Sequence, residues 1–154
     1  MENDIVYRAW DKKARKMREV DSIAFNNKNS YCDFNDDRLP KVVRVWCYDI
    51  INQKNFISSR EIEQIDLMQY TGVRDKNGVR IFDGDIIKFK DNVTIDSSKI
   101  HYAVVNKNKE HNQYLIHAEC RGYYVVNNAQ SKKYQYEVVG NKYENDIQRD
   151  FKRG

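Results

Sequence analysis

Apolar and polar positions alternate along most of this chain, which favours strands over helices. In the first half the alternation is clearest in Ile5–Trp10, Val20–Phe25 and Val42–Ile51. The last of these, VVRVWCYDII, is β-branched and aromatic nearly throughout, which suits a half-buried pleated surface. The polar segment between the first two strands predicts a hairpin turn. The segment Asn26–Pro40, rich in Asn and Asp, predicts a long loop.

The segment Ser58–Met68 fits two structures. Ser58 followed by Glu61 matches a helix capping box, and apolar residues then recur at helical spacing. Ile65–Tyr70 also has the pattern of a strand. We expect a short helical turn followed by that strand.

The stretch from Leu67 to Phe89 contains the densest turn signals of the chain. Asn77-Gly78 predicts a two-residue type I′ turn, because Asn and Gly best tolerate the positive φ needed at both central positions. The residues on either side of this turn would therefore pair. Asp83-Gly84 predicts a second tight turn, which leads into a strand from Asp85 to Lys90.

Short strands separated by polar linkers continue to the C-terminus. The predicted strands are Lys99–Val105, Gln113–Glu119, Gly122–Val126 and Gln135–Val139. We interpret the segment Asn127–Lys133, between the last two, as a turn-rich linker. Several short strands at close spacing predict a mainly β fold with a small barrel or roll in this half.

Composition narrows the class of protein. A chain of 154 residues with 40% hydrophobic content can bury a core without disulfides or metal. The chain has an odd number of cysteines, and they are widely spaced: Cys32, Cys47 and Cys120. This pattern predicts a reduced intracellular protein. The N-terminus lacks the apolar core of a signal peptide, and no run is long enough for a transmembrane helix, so we expect a cytoplasmic protein with no membrane partner.

Candidate catalytic and metal-binding residues are few. Asp75, Asp83 and Asp85 all flank turns, where a carboxylate usually bonds nearby backbone amides, and they lack the spacing of a calcium loop. His117 and Cys120 are close in sequence, but no second pair of ligands has the spacing of a zinc site. No nucleophile motif or phosphate-binding loop occurs. We expect no metal and no cofactor.

A basic segment is the first candidate binding site. Five cationic residues fall within seven positions: Lys12, Lys13, Arg15, Lys16 and Arg18. With Trp10 beside them to stack on a base, these cations could contact the phosphates of a nucleic acid, as Lys88 and Lys90 also could. A solvated hairpin tip is the simpler interpretation, because the patch is short and the net charge is only +4.

A polar and aromatic loop is the second candidate. Tyr70, Arg74 and Lys76 lie around the predicted turns, and loops held on a rigid scaffold often carry recognition. Together with Trp10 they form a candidate surface for a partner protein. The alternative is that Tyr70 is a core aromatic whose hydroxyl is satisfied.

Three blocks of sequence resemble one known family. They are Tyr7–Asp11, the long block Met68–Phe89 and Val138–Asn145, and they resemble the YopX family of small proteins encoded by phages and prophages of Gram-positive bacteria. The resemblance implies a β-rich N-terminal region, residues 1–64, followed by an SH3-like barrel or roll, residues 65–150. It implies no activity, so no catalytic residue can be carried over.

We therefore expect a non-enzymatic phage or prophage accessory protein that binds a host or phage protein. A nucleic-acid-binding accessory protein is the alternative, and an enzyme whose site is assembled from distant residues is the third choice. Exposed strand edges also make self-association compatible with this fold.

Overall fold

The chain folds into an N-terminal unit, Val6–Met68, and a C-terminal unit that begins at Gln69. The structure is a computed structural model, and it describes residues 6–25, 41–49, 53–90, 99–118 and 122–151. The boundary predicted above lies between residues 64 and 65, four residues before the boundary in the structure. The predicted loop Asn26–Pro40, and Cys32 and Cys120, lie outside the described residues.

The N-terminal unit is an antiparallel sheet. Its strands are β1 (Tyr7–Asp11), β2 (Lys16–Phe25), β3 (Lys41–Asp49), β4 (Lys54–Glu61) and the start of β5 (Ile65–Arg74). They lie in the order β4-β3-β2-β1-β5. The alternation that predicted β3 also builds the core, since Val43, Val45 and Cys47 point inward beside Ala9 and Ile65.

The second half of β5 enters the C-terminal unit and pairs with β6 (Arg80–Phe82). The remaining elements are β7 (Asp85–Lys90), β8 (Ile100–Asn108), β9 (Gln113–Ala118), β10 (Gly122–Val125), α1 (Asn128–Tyr134), β11 (Glu137–Asn141) and α2 (Ile147–Asp150). The antiparallel strands run in the order β10-β9-β8-β7-β11. The mainly β class is thus confirmed, while the SH3-like barrel stays a prediction.

One face of this five-stranded sheet carries the second core. Ile87, Phe89, Val105 and Ile116 are almost completely buried there. Tyr136 packs its ring edge-on against Phe89, with the ring centroids 5.9 Å apart. Burial raises the pKa of the Tyr136 hydroxyl above its ordinary value, with smaller contributions from neighbouring tyrosines.

Two predictions of local structure are wrong. The segment predicted as a linker after β10 is the helix α1, which begins where the Asn127 side chain accepts a hydrogen bond from the Gln130 amide at 2.8 Å. Ser58 does not cap a helix, because it lies inside β4. The short 3-10 turn, Ile62–Gln64, begins four residues after Ser58, where the Gln64 side chain accepts the Glu61 amide at 3.1 Å.

The turn between β5 and β6 also differs from the prediction. Gly78 has a φ of +82°, but Asn77 is not among the residues with positive φ. The Gly78 amide donates to the Asp75 carbonyl at 3.0 Å, and the Asp75 amide donates to the Val79 carbonyl at 2.8 Å. The turn is therefore a type I turn followed by a glycine bulge, not a type I′ turn.

The Asp75 side chain fixes this turn and attaches it to β11. One carboxylate oxygen accepts the amides of Asn77 and Val79 at 2.8 and 2.9 Å, and the other accepts the amide of Val138 at 3.0 Å. Asp75 is only 7% exposed. The carboxylate therefore replaces water for two amides of its own turn and for one amide 63 residues away in the sequence.

A second turn follows β11. A Cβ atom added at Gly140 would lie 2.2 Å from Oδ1 of Asn145. That oxygen accepts the Asn141 amide at 3.2 Å, and the Asn141 side chain accepts the amides of Tyr143 and Glu144 in turn. The Val138–Asn145 block thus holds its turn through side chains that bond to the backbone.

We expect Gly78→Val to lower the free energy of unfolding by about 1–3 kcal/mol, because valine would be forced to a positive φ. Nothing lies within 4 Å of an added Cβ at this position, so the whole cost comes from the backbone. Urea melts would measure it. Gly78→Asn is the control and should lose less, since Asn tolerates this conformation. Equal stability of the valine variant and the original protein would contradict the turn.

We expect Asp75→Ala to lower the free energy of unfolding by about 3 kcal/mol, because it leaves three amides without their acceptor. Asp83→Ala is the matched control, since the structure gives the Asp83 carboxylate a hydrogen bond to the amide of Lys107 at 3.1 Å. This control should cost only about 1 kcal/mol. Thermal and urea unfolding of both variants would measure the difference, and similar losses would contradict the role given to Asp75.

Candidate functional site

The N-terminal unit has a cleft of about 470 Å³ beside the β1–β2 hairpin turn. The described residues that line it are Asp11, Lys13, Ala14, Arg60 and Gln64. Strand β1 contributes Asp11, and the hairpin turn contributes Lys13 and Ala14. Strand β4 contributes Arg60, and the 3-10 turn contributes Gln64. A cleft of this size accommodates a side chain or a short peptide segment.

A buried carboxylate organises the cleft. Asp11 is the last residue of β1, and its side chain is completely buried. One oxygen accepts the Ala14 amide at 2.9 Å, and the other accepts Nε of Arg60 at 3.0 Å. Nε of Arg18 lies 3.7 Å from the second oxygen, an electrostatic contact too long for a hydrogen bond.

These contacts keep Asp11 ionised. Burial alone would raise the pKa of this carboxyl, but the Ala14 amide and the guanidinium groups of Arg60 and Arg18 outweigh it and lower the pKa below the ordinary value. Asp11 is therefore a fixed negative charge at neutral pH. It holds Arg60 in place, and its own oxygens are already bonded.

The turn that forms one wall is tied to the 3-10 turn through Lys12. The Lys12 amide donates to the Gln64 carbonyl at 3.0 Å, and its Nζ donates to the Glu63 carbonyl at 3.2 Å. Nζ also forms an ion pair with Asp66 at 3.0 Å. Backbone and side chain thus fix the shape of this wall before any ligand binds.

The structure divides the predicted basic patch in two. Lys12 and Arg18 face carboxylates of their own unit, whereas Lys13, Arg15 and Lys16 are exposed at the turn. Trp10 is only 9% exposed, so its ring is not available to stack on a base or to contact a partner. Of the predicted patch, Lys13 alone lines the cleft.

The second predicted surface lies in the C-terminal unit. Tyr70 is half-buried, with its ring centroid 5.8 Å from that of Phe82 and the Arg80 guanidinium over its face. Arg74 is exposed and donates to the Gly78 carbonyl at 2.8 Å. Lys76 forms an ion pair with Glu137 at 2.5 Å. These side chains therefore brace the β5–β6 hairpin and its attachment to β11.

The turn carboxylates have structural partners. Asp75 and Asp83 accept backbone amides as described above, and Asp85 accepts the Phe82 amide at 2.7 Å while fully buried. Within the described ranges, no three His, Cys, Asp or Glu residues come close enough to hold a metal ion. The hydrogen bonds of these carboxylates to backbone amides fit the expectation that they stabilise turns.

Sequence reasoning missed Arg60. It lies 49 residues from Asp11, and its position on β4 was obscured by the helical interpretation of the segment around Ser58. No local pattern reports a partner across that distance. The sequence offered one indication: Asp11 is an acidic residue that ends a predicted strand and precedes a basic turn.

Comparisons with known proteins identify the family. The YopX protein family model matches residues 6–147, so the chain belongs to the YopX family. A solved structure, the crystal structure of protein EF1440 from Enterococcus faecalis, is similar over 91% of this chain and 94% of that chain, with 19% identity and a TM-score of 0.47. No match was found among curated proteins.

The helices add one finding about membranes. Among the residues that the structure describes, none of the helices has the length and apolar character needed to cross a bilayer. The longest, α1, has seven residues, far fewer than the ~20 that a bilayer requires.

We expect Asp11→Asn to lower the free energy of unfolding by about 1.5–3 kcal/mol at pH 7, because Arg60 and Arg18 lose their shared counter-charge. Since the pKa of Asp11 is lowered in the folded state, its contribution is fully present above the ordinary value near 3.9 and is lost as the pH falls through the folded pKa. The difference between variant and original protein should therefore shrink below about pH 4.

Urea melts between pH 2.5 and pH 7 would follow this difference. Asp21→Asn is the matched control, since Asp21 is exposed on β2 and bonds only to the Ser22 hydroxyl in the described residues. It should change stability little at any pH. A stability difference for Asp11→Asn that does not vary with pH would contradict the ion pair.

Proposed function

We propose that this YopX-family protein is a non-enzymatic accessory protein of a phage or prophage that binds a host or phage protein in the bacterial cytoplasm. The proposal rests on the cleft of the N-terminal unit, where a buried carboxylate holds Arg60 and the exposed Lys13 stands beside it. Such a site suits an acidic side chain or a chain terminus of a partner protein.

Charge within the cleft favours an anionic group of modest size. Lys13 and Arg60 carry two positive charges against the single negative charge of Asp11, and both Asp11 oxygens already accept hydrogen bonds. A carboxylate of a partner would therefore meet a cationic and preorganised surface. Preorganisation reduces the entropy lost on binding, because the walls are already fixed.

The lining residues give little support for an enzyme. A general acid or base works best with a pKa near the working pH, whereas ion pairing lowers the pKa of Asp11 below its ordinary value. In the part of the chain that the structure describes, no histidine, cysteine or serine lines the cleft. Binding without chemistry is therefore the simpler use of these groups.

Nucleic acid is the second candidate ligand for this unit. Lys13, Arg15 and Lys16 remain exposed at the hairpin turn. Because Lys12 and Arg18 face carboxylates and Trp10 is buried, three cations remain of the predicted patch and the stacking residue is lost. A protein partner for the cleft requires none of the missing groups.

Site-specific photo-crosslinking would test the cleft. We expect p-benzoyl-phenylalanine introduced at Ala14 to capture one discrete protein in an extract of host cells carrying the phage. The same group at Asn55, which is exposed at the other end of β4, is the matched control. It should capture no discrete protein. Lys13→Glu in the Ala14 crosslinker protein should abolish the adduct, because it reverses a lining charge.

Gel mobility and mass spectrometry of the adduct would decide the result. Equal crosslinking from positions 14 and 55, or an adduct that survives Lys13→Glu, would contradict the cleft as the binding site. An adduct that disappears after nuclease treatment would favour the nucleic-acid alternative.

A further inference from the structure

The outer face of the five-stranded sheet in the C-terminal unit has an unusual composition. The register pairs Lys88 with Tyr102 and Lys90 with Ile100 on β7 and β8. It pairs Tyr123 with His117 and Val125 with Leu115 on β10 and β9. Because Asn106 pairs with Leu115, all these side chains share the face opposite the core. We call this surface the outer face.

An aromatic pair stands open on the outer face. Tyr123 is 72% exposed, the largest exposure among the described large hydrophobic residues. Its ring centroid lies 4.9 Å from that of His117, with the two rings tilted by 51°. The two rings meet side by side on neighbouring strands and leave the Tyr123 ring mostly open to solvent. A planar ligand could stack on it without any rearrangement of the sheet.

The charge of the outer face is one-sided. The described residues of β7, β8, β9 and β10 place two lysines and no carboxylate on it. On the adjoining β11, Glu137 contacts Lys76 and lies 3.8 Å from Nζ of Lys88, so Lys90 is the cation of this face with no counter-charge recorded among the described residues. The face therefore attracts an anionic ligand rather than a cationic one.

Part of the outer face is covered by another aromatic side chain. Phe151 stacks on Tyr102 with ring centroids 5.3 Å apart, so the Tyr102 ring is already occupied. Ile100 and Val125 are exposed by 44% and 37%, respectively. The exposed side chains therefore lie in two places, with Tyr123, His117 and Val125 at one end of the face and Ile100 and Lys90 at the other.

We propose that the outer face binds single-stranded nucleic acid, with a base stacked on Tyr123 and phosphates near Lys90 and Lys88. Aromatic side chains on an open sheet, flanked by cations, are the features that bind unpaired bases. The register aligns Tyr123 with Ile86 on β7, so Lys90 lies three strand spacings across the sheet and four residues along it from Tyr123, roughly 20 Å away. Several nucleotides of an extended strand cover this distance. A duplex keeps its bases stacked on one another, so it cannot use Tyr123 in this way.

A second copy of this chain is the competing occupant. An exposed aliphatic and aromatic sheet face can bury itself against its own copy. Like charges from Lys90 would then be brought near one another, with no carboxylate from the described part of β7–β10 on the face to neutralise them. The two lysines on the described part of this face favour a polyanion over self-association.

Fluorescence anisotropy with a labelled oligothymidine and with a duplex of the same length would test the proposal. We expect saturable binding of the single strand, and weaker binding of the duplex. Tyr123→Ala should weaken single-strand binding at least about five-fold through loss of one stacked base. Tyr123→Phe keeps the ring and should bind within about two-fold of the original protein, since stacking uses the ring.

Charge variants would distinguish binding at the outer face from general electrostatic attraction of nucleic acid to the protein. Lys90→Glu should weaken binding and lower the slope of log affinity against log salt by about 0.7 for each phosphate that the variant no longer neutralises. Lys109→Glu is the matched control with the same net charge, because Lys109 is exposed in the turn beyond the other end of β8. It should have the smaller effect.

Four results would overturn the proposal. They are no saturable binding at low salt, binding that Tyr123→Ala leaves unchanged, equal and equally salt-sensitive effects of Lys90→Glu and Lys109→Glu, and a dimer of the original protein that Tyr123→Ala converts to monomer. Sedimentation at the concentrations of the titration would detect the last result. The outer face and the cleft use different residues, so either can fail alone.

Discussion

The C-terminal unit depends on the hydrogen bonds of the Asp75 carboxylate. It binds the amides inside its own turn and the Val138 amide 63 residues away. Around it, the Lys76 amide donates to the Tyr136 carbonyl, and the Ser131 hydroxyl donates to the Arg74 carbonyl. A tight turn, α1 and β11 are therefore held by one cluster of part-buried hydrogen bonds, whose loss would leave several amides unsatisfied together.

Sequence patterns predicted most strands because alternation and β-branched residues report burial directly. They failed where a single capping side chain decided the outcome. Asn127 starts α1 by accepting one amide, and polar residues before a short helix look like those of a loop. The prediction for Ser58 was wrong in the opposite direction. Pairing with β3 places this residue in a strand, although the local sequence pattern is helix-like. Tertiary pairing overrides local propensity in such segments.

Candidate sites were harder to predict than strands because they depend on contacts across the sheet. The basic segment was visible, but sequence could not reveal that Lys12 meets Asp66 or that Arg18 lies near Asp11. Arg60 and the outer face were invisible for the same reason, since register decides which residues become neighbours. Charge density along a chain therefore overstates the charge that a folded surface offers to a partner.

Strand β5 contributes to both cores. Ile65 lies in the core of the N-terminal unit, and Val73, eight positions along the same strand, lies in the core of the C-terminal unit. Between these two residues the register of β5 with β6 shifts from Tyr70 to Arg74, and Gly72 has a φ of +82°. Such an irregularity changes which face the following residues occupy. The two stretches of β5 therefore need not share one alternation of apolar and polar residues, and each can match the core that it serves.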